Sequence, residues 1–179
     1  HRDLHAFPTR RSSYLSLKFS EALAAAMSAA GCEDRLDISV LKLTGIVSED
    51  DLYYLRDYIG RTLNKLDLGA VTVESGRLGH EALAWGGYEE IVLPNNIKYL
   101  SGWHVLEGCT ALKTVHILGS VKCVGPATLN GATSLETVTG GDGVVEMDNG
   151  NGMYFNACPN LKTPVILNNI LFRLPSSTG

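Results

Sequence analysis

The chain has 179 residues, of which 45% are hydrophobic and 19% are charged, and its formal net charge is −4. This composition is typical of one globular domain, and the acidic balance argues against a nucleic-acid-binding protein, which needs a basic face. No apolar run approaches the roughly 18–20 residues that a membrane-spanning helix requires.

The N-terminal segment 1–15 reads HRDLHAFPTRRSSYL. It resembles the translation of a common sequencing adapter, with Ala6 and Tyr14 as departures. We interpret this segment as a sequencing artefact and exclude it from the predicted fold, as is done for expression scars. A disordered basic arm is the alternative. In either case the natural start of the chain stays open.

The next segment, 16–36, is predicted to be an N-terminal capping helix. Residues 17–30 are rich in helix formers, and Gly31 follows as a stop signal. The helix would cover the first of the repeats that come after it in the chain. The small residues before Cys32 also resemble a lipoprotein cleavage site, but Glu21 stands where such signals carry positive charge. The helix is therefore the preferred interpretation.

From residue 41 onward a short apolar signature recurs at intervals of 23 to 26 residues, at 41–43, 66–68, 91–93, 115–117, 138–140 and 164–166. A period of this length is typical of leucine-rich repeats. Stacked repeats bury a continuous core that no single repeat could form. The pattern predicts a mostly β fold with minor α content, namely a leucine-rich-repeat solenoid of about six coils over 37–179.

The first repeat contains the clearest helix signal. Ser48 is followed three residues later by Asp51, a variant of the capping box that starts helices. Leu52, Leu55 and Ile59 then fall on one helical face, and Gly60 is a stop signal. This coil is therefore predicted to be strand, turn and outer helix.

Residues 112–132 carry the most regular repeat: Leu-x-x-Val-x-Ile, then Val-x-x-Val-Gly, then an apolar-x-Gly-Ala turn. Over 37–175 the chain resembles the BspA-like leucine-rich-repeat family of bacterial cell-surface and secreted proteins. Leu118 and Leu129 depart from the Pro and Phe usual in that family. The resemblance implies secretion or surface display, with protein or glycan binding and, in some members, adhesion.

Two further features concern the C-terminal part. The segment 148–152 is rich in Gly and Asn but lacks the spacing of an EF-hand, so we interpret it as a turn. Pro164 falls on a strand position, which predicts a bulge or a sheet edge. The sequence stops after a repeat strand without the polar cap that solenoids normally need, so we expect a fragment of a longer protein.

Residue types that form catalytic and metal sites are present, but they do not occur at the spacings that such sites need. His80, His104 and His116 lack a ligand partner at i+2 or i+4, and neither a nucleophile elbow nor a phosphate-binding loop occurs. We expect no enzymatic activity, no cofactor and no metal site. The four cysteines are expected to be free, packed thiols, since Cys109 and Cys158 share the repeat position of Ala132.

Alternation along the strands identifies a candidate binding face, because every second side chain points away from the core. The residues predicted to form it are Lys42, Lys65, Asp67, Glu90, Val92, Thr114, His116, Thr137 and Thr139. Val40, Thr163 and Val165 occupy equivalent positions in their own strands. A plain solvated sheet face is the alternative, since threonine favours strands in any case. Trp85, Tyr99 and Trp103 are a second candidate, for which core packing is the preferred interpretation.

The function expected from these observations is that of a non-enzymatic surface or secreted binding module. Its ligand would be a protein or a glycan, contacted along the extended strand face, and adhesion is one form of this activity. Two alternatives stay open: a structural stalk or scaffold, and an accessory domain of a longer extracellular protein. No nucleic-acid partner is expected, and no membrane span is expected in this fragment.

Overall fold

A computed structural model describes residues 2–6, 15–100, 103–147, 154–161, 165–168 and 170–172. Helix α1 spans Leu15–Ala29, and helix α2 spans Glu49–Leu55 and continues into a π-helical turn over Arg56–Gly60. A 3-10 turn covers Arg35–Asp37. The strands are β1 (Arg2–Ala6), β2 (Ile38–Val47), β3 (Lys65–Val73), β4 (Glu90–Val92), β5 (Tyr99–Leu100), β6 (Thr114–Ile117), β7 (Cys123–Val124), β8 (Thr137–Gly140), β9 (Glu146–Met147), β10 (Val165–Leu167) and β11 (Ile170–Phe172).

Six of the strands form one parallel sheet in the order β1-β2-β3-β4-β6-β8. The recurring signature residues are direct partners in it: Leu41 pairs with Leu66, and Leu66 pairs with Ile91. Strands β5, β7 and β9 form a second, smaller parallel sheet, and β10 pairs with β11 as an antiparallel hairpin.

The predicted fold class is wrong. The described residues form an α/β fold, with an open parallel sheet and two helices, and not a mostly β leucine-rich-repeat solenoid of about six coils. The physical reason is that a period of about 25 residues fixes which strands pair but not whether the sheet that they form stays open or closes into coils. Between β2 and β3 the chain passes through α2 and the π-helical turn, which is the strand–helix–strand crossover that parallel strands commonly use.

Helix α2 begins where the sequence predicts it. The Ser48 hydroxyl accepts a hydrogen bond from the Asp51 N–H, and the Asp51 carboxylate accepts one from the Ser48 N–H at 2.8 Å. Leu52, Leu55 and Ile59 are all buried. The capping box and the apolar face are therefore both confirmed, and the helical stretch ends at Gly60 after its π-helical turn.

Helix α1 is also close to its predicted position. Its buried residues Phe19, Leu23 and Met27 are spaced by one helical turn, and the helix contacts α2 and β1. Gly31 takes a positive φ of 64°, and the Cys32 N–H bonds back to the Met27 carbonyl at 2.9 Å. This is the glycine-terminated Schellman ending.

Strand β1 lies within segment 1–15, which is excluded from the fold predicted from the sequence. Arg2–Ala6 pairs in parallel with β2, and Leu4 is buried. These five residues are therefore part of the large sheet. Their origin as an artefact is not tested by their pairing and stays a prediction.

One continuous hydrophobic core joins the elements. Leu41, Leu66 and Ile91 of the large sheet belong to the same buried cluster as the apolar residues of α2 and as Leu100 and Val124 of the small sheet. The turn residues Leu106, Leu129 and Phe155 are buried as well. The inner face of the large sheet is thus packed against α2 and the small sheet.

The four cysteines, Cys32, Cys109, Cys123 and Cys158, are buried thiols, as predicted. In the part of the chain that is described, no helix is long and apolar enough to cross a membrane. Thr163, Pro164 and the segment 148–152 lie outside the described residues, as does the C-terminal segment 173–179.

Candidate binding surfaces

The predicted binding residues fall into two rows across the large sheet. In the first row Val40 pairs with Lys65 and Lys65 with Glu90, and the row continues through Thr114 to Thr137. In the second row Lys42 pairs with Asp67, Asp67 pairs with Val92, and His116 pairs with Thr139. We call the nine residues the strand face: Lys42, Lys65, Asp67, Glu90, Val92, Thr114, His116, Thr137 and Thr139.

The strand face is open to solvent. Glu90, Thr114, His116, Thr137 and Thr139 are exposed, and the other four members are half-buried. Parallel sheets are usually covered by helices on both faces. Here the two described helices leave the polar side chains of the strand face accessible, so one side of the sheet presents a broad polar surface.

The charged half of the strand face is ordered by ion pairs that join adjacent strands. Lys42 Nζ lies 3.4 Å from Asp67 Oδ2, and Lys65 Nζ lies 2.6 Å from Glu90 Oε1. Asp67 Oδ1 also accepts a hydrogen bond from the Gly69 N–H at 2.9 Å. Exposed ion pairs contribute little to stability, about 0–1 kcal/mol each. Their main effect is to hold the charges of β2, β3 and β4 in a fixed alternation.

The other half of the strand face carries hydroxyl and imidazole groups. His116 Nδ1 and Thr139 Oγ1 are 3.0 Å apart across β6 and β8. Gly140, with a φ of 78°, allows this approach, since a Cβ there would lie 2.7 Å from His116 Cε1. Thr114 and Thr137 complete this half by pairing directly. The surface therefore changes from paired charges to hydroxyl and imidazole groups along the sheet.

The aromatic residues occupy a second surface. Trp85, Tyr99 and Trp103 expose 41%, 44% and 56% of their area, so the preferred interpretation of them as core residues is wrong. Tyr99 lies in β5, whereas Trp85 and Trp103 lie on two neighbouring turn segments that exchange backbone hydrogen bonds. The Glu81 N–H donates to the Trp103 carbonyl at 3.0 Å, and the Trp85 N–H donates to the Glu107 carbonyl at 2.7 Å.

Histidine and glutamate side chains lie between the two indoles. The His80 and His104 rings meet edge to face with centroids 5.6 Å apart, and His104 lies 6.0 Å from the Trp103 ring. His80 Nε2 is 3.3 Å from Glu81 Oε1, and His104 Nδ1 is 2.5 Å from Glu107 Oε2. We call this group the aromatic turn surface: His80, Glu81, Trp85, Trp103, His104 and Glu107.

The backbone of the aromatic turn surface is strained. Glu81, Trp85 and His104 have φ values of 55°, 55° and 68°, a region that residues other than glycine rarely adopt. The same conformation recurs at Ala127, with a φ of 54°, 23 residues after His104, so it is a repeated feature of the turns. Sequence reasoning missed the pattern, although a signal was present. Gly108 and Gly131 follow Trp85 at intervals of 23 residues, so a tryptophan stands where the later turns have glycine.

One described groove lies elsewhere. It has a volume of about 390 Å³ and is lined by α1 residues, by Gly31, Cys32 and Glu33, and by Tyr58. The Arg35 guanidinium lies 4.8 Å from the centre of the Tyr58 ring. The groove contains neither an exposed indole nor a chain of paired charges, and it is separate from both surfaces.

The comparisons with known proteins add no family assignment. No protein-family model matches this chain, and no curated protein matches it. The resemblance of 37–175 to BspA-like proteins, and the surface location that it implies, therefore stay predictions.

Proposed function

We propose that this chain is a non-enzymatic binding module that recognises a partner protein through the strand face. The observation that supports the proposal is the uncovered polar side of a parallel sheet, a side that helices usually cover. The proposal includes secretion or display at a cell surface, which rests on the resemblance alone.

The charge arrangement suits recognition of a protein. Complementary charges across an interface chiefly give specificity and speed of association. The Lys42–Asp67 and Lys65–Glu90 pairs already hold their side chains in place, so less side-chain freedom would be lost when a partner binds. Strands also hold these groups more rigidly than loops would.

Site-specific photo-cross-linking tests the proposal. A benzophenone amino acid is placed at Thr137 on the strand face or, as a control, at the exposed Lys122 before β7. Each protein is irradiated in an extract of extracellular proteins, and the adducts are identified by mass spectrometry. We expect an adduct at Thr137 that excess unlabelled protein suppresses and that is missing at Lys122. The same adducts at both positions, or none at Thr137, would support a structural scaffold instead.

A further inference from the structure

A second site is indicated by the aromatic turn surface, whose residues the proposed function does not use. We propose that it binds a neutral oligosaccharide. The argument rests on the two exposed indoles, on the polar groups between them and on the local charge.

The two indoles belong to one continuous surface. From Trp103 a chain of contacts runs through His104 and His80 to Glu81. From Glu81 it reaches Arg56, whose Nη1 lies 3.8 Å from Glu81 Oε2, and the Arg56 guanidinium lies 5.9 Å from the Trp85 ring centre. Both aromatic faces are therefore linked through ordered polar side chains.

Trp85 has the setting expected of a stacking platform. A Cβ at Gly108 would lie 2.4 Å from Trp85 Cδ1, so the indole lies against the glycine of the next turn segment. The Trp85 N–H and the Gly108 N–H both take part in the hydrogen bonds that connect successive turns. The ring is thus held by backbone while part of it stays exposed. A flat exposed indole suits the C–H face of a pyranose ring, which is apolar.

The polar groups match the hydroxyls of a sugar. Glu107 accepts a hydrogen bond from the Asn130 amide at 2.9 Å and contacts His104. Glu81 contacts His80 and Arg56, so both carboxylates are oriented by neighbours. A protein-binding hot spot is instead a contiguous, desolvated aromatic centre. Here four titratable side chains separate the indoles.

The charge selects the class of sugar. Glu81 and Glu107 face the surface, and Asp57 lies beside Arg56 at 2.7 Å and neutralises it. Three carboxylates, those of Glu81, Glu107 and Asp57, therefore stand against the one guanidinium of Arg56. Sulfated or uronic-acid oligosaccharides would be repelled, and neutral hexose oligomers would not.

Intrinsic fluorescence tests the proposal directly, because the chain has two tryptophans and both belong to this surface. The probes are cellohexaose, laminarihexaose, mannohexaose and chitohexaose, with a heparin-derived hexasaccharide as the anionic comparison. We expect a saturable change in emission with at least one neutral hexaose and none with the sulfated one. No saturable change with any neutral hexaose, or preference for the sulfated probe, would overturn the proposal.

Two variants assign the binding to the surface, with affinity read by calorimetry. Trp103→Ala should weaken binding at least tenfold, whereas Leu36→Ala, an equally exposed apolar residue outside the surface, should leave it unchanged. Trp85→Gly should also weaken binding while the protein stays folded, because glycine occupies the corresponding positions 108 and 131. Unchanged affinity in Trp103→Ala and in folded Trp85→Gly would show that the sugar binds elsewhere, and would overturn the proposal.

Discussion

Trp85 lies against Gly108 so closely that a Cβ at Gly108 would stand 2.4 Å from Trp85 Cδ1, and both residues have a positive φ, 55° and 66°. Gly108 is therefore required twice, for its backbone conformation and for the space that the indole occupies. Gly108→Ala should lower the free energy of unfolding by at least about 1–2 kcal/mol, the cost of a left-handed conformation for a residue with a Cβ.

Urea unfolding followed by tryptophan fluorescence measures this loss. Gly119→Ala is the matched control, because a Cβ at Gly119 would meet nothing within 4 Å. If Gly108→Ala were as mild as Gly119→Ala, the described approach of Trp85 to the turn would be incorrect.

The capping box of α2 gives a second prediction. Ser48→Ala should reduce stability by about 1 kcal/mol, since the Asp51 N–H loses its acceptor. Asp51→Ala should do likewise, and the double variant should cost less than the sum, because the two residues bond reciprocally. Chemical unfolding of the three variants measures the coupling, with the exposed neighbour variant Asp50→Ala as control. Strict additivity would contradict the reciprocal bonding.

Alkaline pH should destabilise the protein through Cys109. Burial raises the pKa of this thiol from its ordinary 9.0 to about 12. Between these values the unfolded chain releases the proton and the folded chain keeps it, so stability falls as pH rises, by about 1.4 kcal/mol per pH unit at most. Cys109→Ala, which copies Ala132 at the equivalent position, should lose less stability between pH 8 and pH 10. Equal losses in both proteins would refute the buried, protonated thiol.

The hydroxyl of Tyr88 makes no hydrogen bond to any described residue although it is fully buried, and burial raises its pKa. Tyr88→Phe should therefore be neutral or stabilising, by up to roughly 1 kcal/mol. Tyr88→Ala should cost about 3–5 kcal/mol, because the ring fills the core. A clear loss of thermal stability in Tyr88→Phe would show that the hydroxyl is bonded after all.

The sequence predicted local chemistry and strand register better than it predicted architecture. Leu41, Leu66 and Ile91 pair as their spacing indicates, because parallel neighbours need matching apolar faces. The Ser48 cap was predictable because its signal lies within four residues. The fold class was not, since the period specifies which strands pair and the Ser48 signal specifies one helix, but neither specifies whether the sheet stays open or closes into coils.

Of the two candidate surfaces, one was predictable from local sequence and the other was not. The strand face follows from alternation along each strand, which is a local rule. The exposure of Trp85 and Trp103 depends on how the segments around residues 81–85 and 103–108 lie side by side, a long-range feature. The pairing of His80 with His104 arises in the same way, from residues 24 positions apart. Composition alone favoured burial of these aromatic side chains.

The Lys65–Glu90 pair offers a variant that changes charge without changing packing. Exchanging the two residues, Lys65→Glu with Glu90→Lys, reverses the pattern but keeps an ion pair across β3 and β4. We expect the free energy of unfolding to stay within about 0.5 kcal/mol of the parent value. Each single substitution places like charges opposite each other and should be less stable than the exchange. Thermal unfolding distinguishes these outcomes. If the exchange variant were as unstable as either single-substitution variant, the ion pair would not explain the stability of these two positions.

The most direct test of recognition through the strand face is calorimetric titration of the partner cross-linked at Thr137, once purified, into the parent protein and into the Lys65–Glu90 exchange variant. The account predicts at least a tenfold loss of affinity in the exchange variant, because its stability is unchanged and only the charge pattern is reversed. Equal affinity in the two proteins would contradict recognition through this face.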